Sequence, residues 1–299
     1  MKLIDLHSHW GTKKGYVLRT GAELARQKHT WNSEPKYHSE EEMAAYFRSQ
    51  NVRSILDFGF TKNLPVAEAR GYHDYGMQTQ RRYPDAILGL WLQIDPRSGA
   101  EGAAEFERCI KASDGFIGIG ISGSGTGYPA CDPIYDPFHE VSIAHDRPVL
   151  VFVGTTGAGA GLPGGGGMIL DDCHPRHVDR LAARRPALRI IAARPAWPWQ
   201  EEMIAVMIHK PNVWCELHGW SPKYYTDSLK REISRRLQNR LMFGANLFGG
   251  NTNHQIFSPL TNGIQGSKTT HADQKALTLD LYAENQYFVI PTLALVAGV

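Results

Sequence analysis

The sequence predicts an α/β fold, a (β/α)8 TIM barrel formed by a single domain over residues 1–299. Two observations carry that expectation. Eight short apolar or β-branched runs alternate with helical patterns along the chain, the rhythm of repeated strand–helix units. The length of 299 residues is also what eight such units need. A doubly wound open sheet shares the rhythm, but no G-x-G-x-x-G follows the first run.

The first strand is Lys2–Leu6, leading into His7 and His9 with Asp5 just inside. Residues i and i+2 share a strand face, so both imidazoles project the same way. Residues 10–38 form a polar, aromatic excursion too long for an ordinary connection, expected to act as a lid or pocket wall. Ser39 to Glu42 is a capping box that opens a helix through Gln50. Val52–Phe58 is the second strand, followed by a helix through Arg82. Ala86–Gln93 is the third, followed by a helix over Ala100–Ala112. Gly115–Ile121 is the fourth, followed by a Gly/Pro-rich loop and a helix ending near His145. Pro148–Val153 and Leu188–Ala193 are continuous apolar runs, as expected of parallel strands covered on both faces. Between them, Pro175 suits the first position of a helix Pro175–Arg184. Asn212–Leu217 and Arg240–Gly244 complete the set, and a helix over Ala272–Asn285 is expected to close the structure. Residues 249–299 form an atypical C-terminal segment rich in Asn, Thr and Gly.

A net charge of +2 with mixed signs gives no reason to expect nucleic acid or a membrane surface as partner. Cys109, Cys131, Cys173 and Cys215 are widely spaced without a C-x-x-C, which excludes a zinc ribbon or disulfide framework and favours free thiols. No apolar run approaches the roughly 20 residues of a membrane span. The expectation is a cytoplasmic protein with a small-molecule substrate.

In a barrel, chemistry sits at the carboxyl ends of the strands. The motifs there are D-L-H-S-H at 5–9, G-T-T-G-A-G-A-G-L-P-G-G-G-G at 154–167 and R-P-A-W-P-W-Q-E-E-M at 194–203. H-K-P-N-V at 209–213, G-W-S-P-K-Y-Y at 219–225 and M-F-G-A-N at 242–246 complete them. Together they resemble the amidohydrolase superfamily, in particular the branch related to aminocarboxymuconate-semialdehyde decarboxylase. That resemblance implies one divalent metal, often zinc, and often a dimer. Its ligands are the two strand-one histidines, a histidine closing strand five, often one closing strand six, and an aspartate closing strand eight that also handles protons. His7 and His9 match, but the later positions fall on Phe152, Arg194 and Asn246. Phenylalanine cannot ligate, arginine has no lone pair to give, and asparagine offers only a neutral carbonyl. A catalytic zinc wants about three protein ligands. The expectation is a site rebuilt for chemistry without a metal or other cofactor.

Roles follow from that expectation. Asp5, His7 and His9 are an acid–base set, the plainer alternative being hydrogen-bonded relics of a metal site. Arg194 is an anion clamp or, equally, a salt-bridge partner of Asp5 or Glu216. Asn246 donates to a developing oxyanion or is a structural amide. His218 alternates with Glu216 on strand seven and is a further acid–base candidate if that face is luminal. Phe152 fills the vacated metal position, and with Trp10, Trp197 and Trp220 it lines a pocket for a flat ligand, core packing being the plainer account. The glycine-rich run lacks the Gly-Lys-Ser/Thr of a phosphate loop and is expected to be a flexible rim. The expected activity is that of a decarboxylase or other lyase, cyclase or isomerase acting on a small aromatic, polyketide-like or unsaturated carboxylate or lactone. One rival is a zinc- or manganese-dependent decarboxylase or hydrolase using His7, His9 and either His174 or His218. The other is a non-catalytic barrel that binds a small molecule.

Overall fold

The computed structural model describes residues 3–17, 37–220 and 222–242, with short pieces at 21, 24–25, 28, 256–257 and 268–269. Eight strands make one sheet in chain order, each parallel to its neighbour. They are β1 Leu3–Ser8, β2 Val52–Asp57, β3 Ile87–Leu92, β4 Phe116–Ile121, β5 Val149–Phe152, β6 Ile190–Ala193, β7 Val213–Glu216 and β8 Leu241–Met242. The sheet curls into a half-barrel with helices between its strands, so that side chains at the ends of β1 and β7 meet. The fold is therefore the α/β barrel type that the alternation predicts.

Helix α1 is Glu40–Ser49. The Ser39 hydroxyl accepts from the Glu42 N–H at 3.2 Å while Glu42 accepts from the Ser39 N–H at 2.7 Å, satisfying two donors that a helix start leaves orphaned. Helices α2 Val66–Arg82, α3 Gly99–Ala112, α4 Asp136–Ala144, α5 Pro175–Arg184, α6 Gln200–His209 and α7 Asp227–Ile233 follow. None of the described helices is long and apolar enough to cross a membrane.

Alternation along the strands divides the apolar residues into two layers. Along β5, Val149 and Val151 join the large cluster shared with helix residues such as Phe106, Phe138, Val178 and Met203. Leu150 and Phe152 join a smaller cluster with Ile55, Trp91 and Ala193, which fills the inside of the curl. The strands approach closely enough that a Cβ on Gly118 would stand 2.0 Å from the Pro148 carbonyl oxygen. A side chain there would break the β4–β5 seam.

The excursion after β1 returns to where it left, since the His38 N–H donates to the Gly11 carbonyl at 2.9 Å. Trp10 corrects the sequence reading. It is fully buried among Phe47 and Tyr83 rather than lining the mouth, and it ties the excursion to α1. Asn246 and the closing helix over 272–285 lie outside the described residues.

Candidate active site at the barrel mouth

The register of β1 on β2 sets Ser8 opposite Leu56, which brings Asp57 beside the histidines. His7 Nε2–H donates to Asp57 Oδ2 at 2.9 Å, and His9 Nδ1–H donates to the Asp57 carbonyl at 3.1 Å. Gln93, just past β3, donates to the other Asp57 oxygen at 2.5 Å. The ring of His7 is thus oriented by Asp57. Asp5, expected to do this, accepts instead from the His7 backbone N–H at 3.1 Å. Asp57 and Gln93 are site residues that the sequence reading missed, although an acid closing an apolar run was a signal. Tyr16, from the excursion, stands edge-on to His9 at 5.6 Å.

From β7, Glu216 and His218 share a face, and both are fully buried. The Glu216 carboxyl bonds His218 through both its ring Nδ1 and its backbone N–H. His218 is therefore luminal, and its ring stacks on His7 with centroids 4.3 Å apart. Phe152 stands edge-on to His7 at 5.3 Å, and the Arg194 guanidinium lies over the Phe152 ring at 5.3 Å. Arg194 donates to the Thr155 carbonyl at 3.3 Å. Among the described residues it has no carboxylate within ion-pair distance, so the expected salt bridge to Asp5 or Glu216 does not form. Glu216 is occupied by His218, and Arg194 touches it only through its backbone N–H, which donates to the Glu216 carbonyl at 2.8 Å. Arg194 holds this position with a left-handed φ of +81°. Gly154, at φ +80°, lets the neighbouring loop pass, because a Cβ there would lie 2.7 Å from backbone atoms of Ala196 and Trp197.

The electrostatics favour neutral imidazoles. Burial lowers His7, and the neighbouring His218 lowers it further. Burial followed by His7 brings His9 down to about 4, and burial followed by Arg194 holds His218 well below its usual value. Burial raises the Glu216 carboxyl to about 7. Burial works to raise Asp57 as well, but its bond to His7 and the nearby imidazoles win and keep it low. Two ring nitrogens, His7 Nδ1 and His218 Nε2, are buried with no hydrogen-bond partner among the described residues.

The metal implied by the sequence resemblance does not fit this donor set. His7 Nε2 is engaged by Asp57, Phe152 fills the strand-five position, and Arg194 brings a positive charge to the strand-six position. His174 is not at the mouth centre. It caps α5, accepting from the Arg176 N–H at 3.1 Å, and packs on Trp199. Among the described residues, the one group of three close donors is His73, Glu105 and Cys109 in the helical layer. There the Glu105 carboxylate already accepts from His73, Arg70, Arg108 and the Cys109 thiol, so no lone pair is left for a cation.

Trp197, after β6, stacks on Trp220, after β7, at 5.3 Å, and Tyr224 stands edge-on to Trp220 at 5.6 Å. Trp197 is 43% exposed, which leaves an open aromatic surface at the strand ends.

Solved structures of similar shape share this fold. A 5-carboxyvanillate decarboxylase from Novosphingobium aromaticivorans, complexed with manganese and 4-hydroxy-3-methoxy-5-nitrobenzoic acid, superposes with a TM-score of 0.58 at 15% identity, covering 82% of this chain and 86% of its own. A 5-carboxyvanillate decarboxylase from Sphingomonas paucimobilis gives 0.57 at 15% identity, over 82% and 88%. An uncharacterized TIM-barrel protein from Bordetella bronchiseptica gives 0.57 at 16% identity, over 82% and 85%. No curated protein matches the sequence. The family model described as amidohydrolase matches residues 4–286. With that match spanning nearly the whole chain, the protein belongs to the amidohydrolase family.

Proposed function

We propose that the barrel mouth binds a small aromatic or unsaturated carboxylate and moves a proton at the carbon bearing the carboxyl group, a lyase-type reaction of which decarboxylation is the simplest case. The observation that carries the reading is Arg194. Its guanidinium has five N–H donors, and its one acceptor in the described protein is the Thr155 carbonyl at 3.3 Å. The open fork has the planar shape that pairs with a carboxylate.

Proton transfer falls to the stacked imidazoles. His7 is tied to Asp57 and His218 to Glu216, and the remaining nitrogen of each is free to exchange a proton with a bound molecule. In a decarboxylation the neutral His218 ring passes its Nε2 proton to the ring carbon while the Glu216 carboxyl, raised by burial to about 7, returns a proton at Nδ1. The bond to the carboxyl group then breaks, its electrons return to the ring, and carbon dioxide leaves. Phe152 and the Trp197–Trp220 stack offer flat apolar surface for the ligand, and Asp5 and His9 brace the first-strand end. Asn246 stays in the proposal as a neutral donor. The 5-carboxyvanillate decarboxylases of similar fold make an aromatic carboxylate a reasonable first ligand.

The test is a panel of aromatic and unsaturated carboxylates, with carbon dioxide release and product NMR as readouts. Metal content is measured on the same preparation. Turnover that survives chelation and is lost in His218→Gln supports the proposal. Turnover that requires a stoichiometric transition metal overturns it.

A further inference from the structure

A second chemical centre lies off the barrel axis, where the loop after β4 meets the start of α5. Cys131 Sγ is 3.3 Å from His177 Nδ1. On the other side of the ring, His177 Nε2 is 3.8 Å from Asp171 Oδ2 and makes no hydrogen bond. His177 is 6% exposed, whereas Cys131 is only half-buried. Arg180 and Arg184 bring positive charge to the thiol, and Arg184 also donates to the Cys131 carbonyl at 2.8 Å. A nucleophile with a base in reach is the core of an activated nucleophile, and the Asp171 carboxylate, which Arg176 also holds, sets negative charge near the base without bonding it. The other cysteines are buried, and none has a histidine as its hydrogen-bond partner among the described residues. Cys109 donates to Glu105, Cys173 to the Ser124 hydroxyl, and Cys215 to the Arg194 carbonyl.

We propose that Cys131 is a modification site, a thiol that exchanges with small disulfides under general-base assistance from His177. In the step, the Cys131 S–H proton passes to His177 Nδ1 as Sγ attacks one sulfur of the disulfide. The S–S bond of the reagent breaks, its second sulfur leaves as a thiolate, and that thiolate takes the proton from the imidazolium. The net change is one mixed disulfide on Cys131 and one free small thiol, the disulfide being the oxidant. Asp171 faces the nitrogen that carries the transient positive charge. Burial raises the thiol and lowers the imidazole, so the resting pair is neutral and the base acts during attack.

The test uses the whole protein, the aromatic disulfide 5,5′-dithiobis(2-nitrobenzoate) as kinetic probe and oxidised glutathione as second reagent, with peptide mass mapping. Cys131 is expected to react first and to carry one glutathione. His177→Gln is expected to slow the native reaction roughly tenfold or more, with no change in urea, where no imidazole assists. Asp171→Asn is expected to slow it about threefold, and this exposed position gives the readout should His177→Gln not fold. First reaction at another cysteine, or a native rate untouched by both variants, overturns the proposal. The outcome does not depend on the chemistry of the barrel mouth.

Discussion

Arg194→Gln is the sharpest perturbation of the mouth. Glutamine keeps a donor for the Thr155 carbonyl and some contact with Phe152, but removes the charge and the fork. Hydrogen bonds to charged groups contribute about 1.5–3 kcal/mol each, so loss of one such bond to a bound carboxylate weakens affinity by roughly 10- to 150-fold. Loss of the cation over the Phe152 ring, a contact of 5.3 Å, costs about 0.5–1 kcal/mol of protein stability. The assay is calorimetric titration of aromatic carboxylates and of their primary amides. In the native protein the carboxylate should bind tighter than its amide, and in Arg194→Gln that preference should collapse. An unchanged preference refutes the clamp, because a guanidinium that merely packs on Phe152 has no means of telling the two ligands apart. The backbone adds weight to this choice of residue. A left-handed φ costs a residue with a Cβ about 1–2 kcal/mol, and strain of this kind points from the outlier toward function.

Asp57→Asn should leave carboxylate affinity nearly unchanged while turnover falls roughly 10²- to 10⁴-fold, because the His7 ring loses its anionic partner; steady-state kinetics separate the two. Trp220→Ala removes the partner of Trp197 and should weaken aromatic carboxylates by about 1 kcal/mol while leaving aliphatic ones unaffected, which a competition titration reads. Glu105→Gln should destabilise the protein by about 2 kcal/mol at pH 7, measured by urea unfolding. Burial opposes ionisation of Glu105, yet its bonds to Arg108 and His73 drive it far below the ordinary value of 4.5. The stabilisation is therefore full above that value and is lost as pH falls below it, so the gap between variant and native protein should shrink in acid. A gap that stays constant from pH 7 to pH 3 contradicts the assignment.

The strands were legible because both layers of the barrel demand apolar residues, so β5 and β6 stand out as continuous runs. The side-chain partners were not. Asp57 is 48 residues from His9, and only the β1–β2 register brings them together. Trp10 is instructive in the other direction. It follows His9 directly, just past the end of β1, and its burial against α1 is the ordinary fate of a large aromatic side chain. Glu216 and His218, two apart across the end of β7, were a foreseeable pair. Once Glu216 is taken by His218, Arg194 has no counter-ion left within reach among the described residues. The competition between two local rules leaves the guanidinium open, and neither motif displays it alone.

Phe152 and Arg194 depend on each other. A guanidinium set beside His7 and His218 would make any protonated imidazole costly, and the Phe152 ring stands between Arg194 and His7, touching both at 5.3 Å. The ring spaces the like charges and gives the cation a face on which to rest. This predicts how a metal centre would return. In Phe152→His alone, a third imidazole faces an undiminished positive charge, and no stoichiometric zinc is expected. In Phe152→His with Arg194→His, the strand-five and strand-six ends, paired in register at Phe152 and Ala193, offer two new donors and the charge is gone. Three or more imidazoles suffice for zinc. Elemental analysis after dialysis against zinc decides it. Zinc held by the single variant would mean that Arg194 is not what keeps a cation from the mouth.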